Sequence, residues 1–497
     1  MSVEHVDVLI VGAGISGIDA AYRLQEQCPT KTFAIVEARG VIGGTWDLFR
    51  FPGIRSDSDM FTLCYPFRPW TEAKLIVDGT SIREYVQATA HEYGLDRKIR
   101  FHRRVVRAAW SSENARWTVD LERAAGDERE QITCAFLMSC TGYFRYDQGH
   151  RPQFPGEERF RGELVHPQFW SEDLDHAGKR VVVIGSGATA VTMVPAIAER
   201  AAHVTMLQRS PSYIVSFPAV DPFLQLLGRV LPWRLAYRIV RWRNVKVQTA
   251  AWVLSKHWPG LVRRVIRALA RRHLPKDYDV DTHFNPRYDP WDERICVVPD
   301  ADLFEAIAAG RASIVTDQIE TFTENGIRLV SGQELEADMI VTATGLNLQV
   351  LGGIELSVDG DPVDLPGGIV YRGSMLADVP NLAFPFGYVN QSWTLGADVA
   401  CQHACRLLNY MDERGYDLVT PRSPAQLSGS RPILELSSGY VRRAEGLLPR
   451  QGSEEPWYRH QSYPRDRRSA LRYPIEDSAL EFGRARRAAA AATEVAA

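Results

Sequence analysis

The chain has 497 residues, 45% of them hydrophobic and 24% charged, the balance of a globular protein of two or three domains. A formal net charge of -3 provides no global basic field and argues against nucleic acid as a partner. Seven cysteines without framework spacing fit a reducing cytoplasm, the N-terminus lacks the pattern of a secretory signal, and no apolar run is long enough to span a bilayer.

The first element is "VDVLIVGAGISGIDAAYRL", a short buried strand, a tight turn and an amphipathic helix. Gly12, Gly14 and Gly17 fall as GxGxxG at the strand-to-helix junction, where backbone N–H groups and the positive helix end can face a pyrophosphate. A second strand, "FAIVEAR", ends on Glu37, the carboxylate expected for a ribose diol. Further on, "KRVVVIGSGATAVTMVPAI" repeats the layout, with Gly185, Gly187 and Ala190 as GxGxxA. Its following strand ends on Gln208, Arg209 and Ser210 and not on an acid. An arginine and a hydroxyl can pair with a 2′-phosphate that a carboxylate would repel, so this second site should choose NADPH over NADH. The first site suits a tightly held FAD and the second a visiting NADPH. Two further segments run into Thr141-Gly142 and into Thr344-Gly345; alone they read only as apolar strands ending in a turn, although such strands resemble those that return the chain between the nucleotide domains of two-dinucleotide flavoproteins.

Between the two turns lies "FRGELVHPQFWS", a loop by composition, with Phe160, Gly162, His166 and Trp170 at fixed offsets. A histidine in such a connector reads more readily as a hydrogen-bonded hinge than as a proton donor. Nearer the N-terminus, "GGTWDLFRFPGIRSD" carries Gly44, Thr45, Trp46, Phe51, Pro52, Gly53 and Asp57. Together these two stretches resemble the two long signatures of the Baeyer–Villiger monooxygenases, class B flavoproteins. Further matching segments include "DPWDERICVVPDADLF" and "ATGLNLQ", and the likeness extends over roughly residues 5–460. Ser171 departs from it, standing where the family shows proline or aspartate.

The resemblance implies an α/β fold of two Rossmann-like domains with a helical insertion. It divides the chain into an FAD-binding domain in two parts (1–145 and 351–480), a linker (146–178), an NADPH-binding domain in two parts (179–218 and 285–350), an insertion (219–284) and a disordered tail (481–497). It implies NADPH- and O2-dependent oxygen insertion beside a ketone carbonyl through a peroxyflavin, with oxygenation of sulfides or thioamides as a second activity. Arg294 matches the family's catalytic arginine and Asp57 the carboxylate that orients it and borders the flavin, with Thr45 and Trp46 on the FAD side. Glu293 stands where many members show lysine, which would leave NADPH affinity resting on Arg209. The rival within the same layout is an amine- or sulfide-oxygenating flavin monooxygenase, which usually shows tyrosine or phenylalanine at the position of Trp170. A disulfide reductase would need a cysteine pair beside the flavin, and Cys401 and Cys405 lie far along the chain in a helix-like segment. The segment 388–400 returns after the NADPH domain and begins a helix with Asn390 and Trp393 at its start; two readings stay open, an N-terminus that approaches the flavin as in related folds, or a helix packed in the core.

Residues 221–276 differ from everything around them, with 13 Lys/Arg against one acid and four of the chain's 12 tryptophans. The apolar positions recur at helical spacing, broken at Pro232 and Pro259. Two readings stay open: a lid over the substrate entrance, which is favoured, or helices lying on an anionic membrane surface.

Overall fold

The computed structural model describes residues 3–123, 129–424 and 429–485. Its first sheet is seeded by the apolar run Glu4–Val11, which pairs in parallel with Phe33–Val36 on one side and Arg129–Ser139 on the other. Burial on both faces explains why these strands read as continuous apolar runs. Beyond Arg129–Ser139 the sheet turns antiparallel through Arg116–Arg123 and Arg103–Ser111, where residues alternate and Trp110 and Trp117 pair directly across the strands. The late chain completes this unit. Glu355–Val358 and Leu382–Ala383 add parallel strands, and the helix Trp393–Arg414 packs on the helix Ile15–Gln27.

The second sheet holds five parallel strands in the spatial order Ala312–Thr316, His203–Gln208, Arg180–Ile184, Met339–Thr342, Glu163–Val165. Its last member corrects the reading of the Phe160–Trp170 stretch as a loop. Glu163–Val165 is the edge strand, in register with Met339–Val341. Three residues are too few to show a strand period in the sequence. Gly162 is required just before it, because a Cβ there would lie 2.5 Å from both the Asp338 carbonyl oxygen and the Phe160 ring.

The basic insertion forms the helices Pro222–Gly228, Trp233–His257, Pro259–His273 and Val280–His283, with Pro232 capping the second and Pro259 opening the third. The helix Trp233–His257 rests on the first unit: Trp233 Nε1 donates to the Trp70 carbonyl (3.1 Å) and Asn244 to Asp59 (2.8 Å). The helix Pro259–His273 rests on the second, where Ala270 joins the core and Arg263 binds Tyr213 (2.9 Å) and Asp289 (2.9 Å). At the C-terminal end, the expected disordered tail begins too early. Leu480–Gly483 pairs with Leu418–Pro421, its Phe482 ring against Tyr410 and Tyr416, while 486–497 lie outside the described residues.

Candidate active site

The two glycine turns are built alike at their base. Gly12 (φ +102°) and Gly185 (φ +135°) each follow a central parallel strand. A Cβ on Gly12 would meet the Cys140 carbonyl oxygen at 2.7 Å, and one on Gly185 the Ala343 carbonyl oxygen at 2.3 Å. Both carbonyls immediately precede a Thr-Gly pair, so each returning strand closes the floor of one turn and forces glycine there. At Gly17 a Cβ would stand 1.9 Å from the Gly12 oxygen, which fixes the close helix–turn packing of the first site.

Around the first turn the surroundings are dense. Gly14 lies against Gly44 of the long N-terminal signature. Glu37 is buried and accepts the backbone N–H groups of Ala13 (2.7 Å) and Arg39 (2.9 Å). Burial pushes its carboxyl up, and those two N–H bonds pull it back towards the charged form. Thr45 Oγ1 lies 3.4 Å from the Tyr146 hydroxyl, and Trp46 packs partly buried on the core. The neighbouring Asp47 is buried beneath Arg39, Arg50 and Arg83, a cluster that no sequence motif marked. At the start of the helix Trp393–Arg414, Asn390 Oδ1, Gln391 Oε1 and Thr394 Oγ1 are buried without a hydrogen-bond partner. Trp393 reaches across to Ser16 Oγ (3.0 Å) on the first-turn helix. Each orphaned polar atom costs about 1–3 kcal/mol unless a ligand meets it, so this helix start suits a polar heterocycle.

Around the second turn the surroundings are open. A Cβ on Gly187 would meet nothing within 4 Å, and Arg209 and Ser210 are exposed beside it. Ala190 is buried inside the helix Ala188–Ile197. Gln208 departs from the expected cofactor role: its amide faces inward, donating to Thr316 Oγ1 (2.9 Å) and the His283 carbonyl (2.9 Å). Gln208, the last residue of its strand, is buried, whereas Arg209 just beyond it is exposed. Glu293 is half-buried and raised by burial, with the charges of Arg442 and Arg209 acting against that rise.

The stretch from Phe49 to Asp57 stitches the two units together. Phe49 and Phe51 belong to the core of the second unit, and a Cβ on Gly53 would lie 2.6 Å from the Thr192 carbonyl oxygen. Arg55 binds Asp302. Two residues on, Asp57 grips Arg294 with both oxygens, Nε–Oδ2 at 2.8 Å and the second nitrogen to Oδ1 at 3.0 Å, joining residues 237 apart in sequence. Asp57 is the largest influence on the guanidinium and raises it further from deprotonation, outweighing burial. Three groups that the sequence did not mark surround this pair. Burial pushes up the phenols of Tyr143 and Tyr440, partly offset by Arg294, and holds the Cys296 thiol up at about 12. The Tyr143 ring stacks on Trp393 (centroids 4.9 Å apart), which connects the arginine to the first nucleotide turn.

His166 stands apart from this cluster. Its Nδ1 accepts the Gln168 N–H (3.2 Å) at the start of a single helical turn, and its ring fills the space where Gly149 has no side chain. Burial pushes its pKa down, against backbone groups at Gly345 and His150 that act to raise it. Gln168 donates to the Arg145 (3.0 Å) and Tyr146 (2.8 Å) carbonyls, Trp170 is buried, and Phe160 packs on Phe322. These contacts join the edge strand to the crossing Phe144–Gly149. Ser171 Oγ accepts the Asp173 N–H (3.3 Å) in a local turn. All seven cysteines are free and buried, and burial raises the thiols of Cys401 and Cys405, with Cys28 beside Cys405 acting first on the latter.

A family model described as flavin-binding monooxygenase-like matches residues 5–351. The chain belongs to that family. It is 52% identical over 482 residues to the FAD-containing monooxygenase EthA of Mycobacterium tuberculosis, covering 97% of this chain and 98% of that protein. The Mycolicibacterium smegmatis EthA is 51% identical over 491 residues, 99% of each chain. Among solved structures, an oxidized steroid monooxygenase bound to NADP superposes with TM-score 0.74 at 23% identity, over 97% of this chain and 100% of the other. An open form of cyclohexanone monooxygenase gives 0.75 at 20% identity, over 96% and 99%. The fold is therefore that of the two-dinucleotide flavoprotein monooxygenases.

Proposed function

We propose that this flavin monooxygenase inserts oxygen beside the carbonyl of a ketone to give an ester, using FAD, NADPH and O2, and oxygenates sulfur in sulfides or thioamides as a second activity. The observation that carries this reading is Arg294, clamped by Asp57 between the two nucleotide turns and linked to the first by Tyr143 and Trp393. FAD fits the dense first turn with Glu37 and the orphaned polar atoms near Trp393, and NADPH fits the open second turn beside Arg209 and Ser210.

Bound FAD, reduced by NADPH, supplies the activated oxygen. A nucleophilic oxygen must stay anionic to attack a carbonyl. Arg294 provides a fixed positive charge that stabilises an anion without giving up a proton, because Asp57 holds it charged. The bidentate clamp also fixes the guanidinium plane, so little reorientation is needed during reaction. A panel of linear, arylaliphatic and cyclic ketones, incubated with enzyme, NADPH and O2 and analysed by gas chromatography, tests the reading. Ester supports it. Sulfoxide from a sulfide with no ester from any ketone favours the amine- and sulfide-oxygenating alternative, and hydrogen peroxide alone refutes both.

A further inference from the structure

The insertion puts apolar side chains where no part of the fold uses them. Among the described residues 19 large hydrophobic side chains are exposed, and 12 of them lie within 221–276. Single exposed apolar residues are ordinary on a protein surface, but such concentration is not. On the helix Trp233–His257, the buried Tyr237, Val240 and Asn244 face the first unit. Leu235, Trp242 and Val253 recur at helical spacing on the opposite side, Trp242 being 65% exposed. The helix Pro259–His273 behaves likewise. Ile266 and Ala270 point inward, while Leu261, Val265 and Leu269 continue outward from Trp258, which is 60% exposed. Each helix is thus anchored by one stripe and leaves a second apolar stripe in water.

Charge says what fits these stripes. The one acid of the segment, Asp221, is buried and bound to Arg243. Arg229, Arg234, Arg238, Lys246, Arg264 and Arg272 have no carboxylate within ion-pair distance among the described residues. The Lys246 ammonium lies over the Trp242 ring (5.7 Å), which puts a cation beside the apolar stripe. A protein partner would need many acids matched to unpaired cations on both helices. A lipid surface supplies negative headgroups above an apolar layer, and tryptophans settle at that boundary. No helix among the described residues is long and apolar enough to cross a membrane, so contact would be at the surface.

We propose that the outward faces of these two helices dock the enzyme reversibly on an anionic lipid bilayer. The test is flotation of the flavin-loaded, full-length enzyme with vesicles of phosphatidylcholine and phosphatidylglycerol in equal parts, beside vesicles of phosphatidylcholine alone. Wild type should float with the anionic vesicles, much less with the neutral ones, and less as salt screens the headgroups. Trp242→Glu and Trp258→Glu should each lower the vesicle-bound to free ratio about tenfold or more, equivalent to at least ~1.4 kcal/mol, while retaining flavin and NADPH oxidation. Failure of wild type to float, equal flotation on both vesicles, or variants that float like wild type would overturn the proposal. So would a dimer in light scattering without lipid that Trp242→Glu dissociates, which would assign the face to a second copy. Flavin content and NADPH oxidation are read separately, so failure here is distinguishable from failure of the proposed oxygenation.

Discussion

The two glycine turns share a floor and differ in their walls. Beneath each, a glycine rests on the carbonyl that precedes a Thr-Gly pair, Cys140 in one case and Ala343 in the other. Above the first, Gly44, a buried Glu37 and the start of the helix Trp393–Arg414 close in; above the second, Gly187 and Arg209 meet open space. On the assignment proposed above, the same motif would serve a resident cofactor where later chain segments wall it in and an exchanging co-substrate where they do not. Binding energy at the first can be spent on retention, and at the second it must permit release every turnover.

One substitution in each turn sharpens this contrast. The largest effect is expected for Gly17→Ala, whose Cβ would meet the Gly12 carbonyl at 1.9 Å. Protein purified from this variant should carry at least about tenfold less flavin by its visible absorbance, since relief of such a clash must move the turn. Gly187→Ala should keep its flavin, because a methyl group there meets nothing within 4 Å. Next, Arg209→Ala should raise KM for NADPH about 10- to 100-fold, the loss of one charge-assisted contact, and leave KM for NADH nearly unchanged. A smaller change of opposite sign is expected at Glu293, whose charge competes for Arg209 and Arg442. Glu293→Gln should lower KM for NADPH by roughly two- to fivefold in steady-state kinetics, as expected for one partly screened charge.

A buried histidine of the first unit gives its stability a pH dependence. His403, on the helix Trp393–Arg414, is buried and its pKa is pushed down to about 3, first by burial and then by Arg372 and Arg406. Its folded value lies below the unfolded one, so the unfolded chain binds the extra proton. Stability is therefore full above about pH 6.5 and falls as pH drops from there towards the folded value. Melting temperature should decline by a few degrees between pH 7 and pH 5, and His403→Asn should flatten that slope.

Much of this architecture was legible because glycine spacing, strand ends and the two long signatures are local. Gly12, Gly14, Gly17, Gly185 and Gly187 stand in the two turns, and Asp57 meets Arg294 although the pairing itself is visible only in three dimensions. The Phe160–Trp170 stretch was legible as a signature but not as a strand, since Glu163–Val165 gains its status from Met339–Val341, far along the chain. Gln208 turns its amide to Thr316, a partner far along the chain that the strand end itself does not reveal. Tyr143 and Tyr440 come to Arg294 from two distant segments, joining Cys296 two residues along, and no periodicity encodes that meeting. His166 is packed between Gly149 and Gln168, a three-dimensional contact that its place in the sequence does not reveal.

The central claim is that the Arg294–Asp57 pair directs the oxygen to a carbonyl. Its most direct test is the molar yield of ester per NADPH oxidised by Arg294→Ala, measured with a ketone that the wild type converts. Arg294→Ala should retain its flavin, still oxidise NADPH, release hydrogen peroxide and form no ester. An ester yield equal to that of the wild type would contradict the claim.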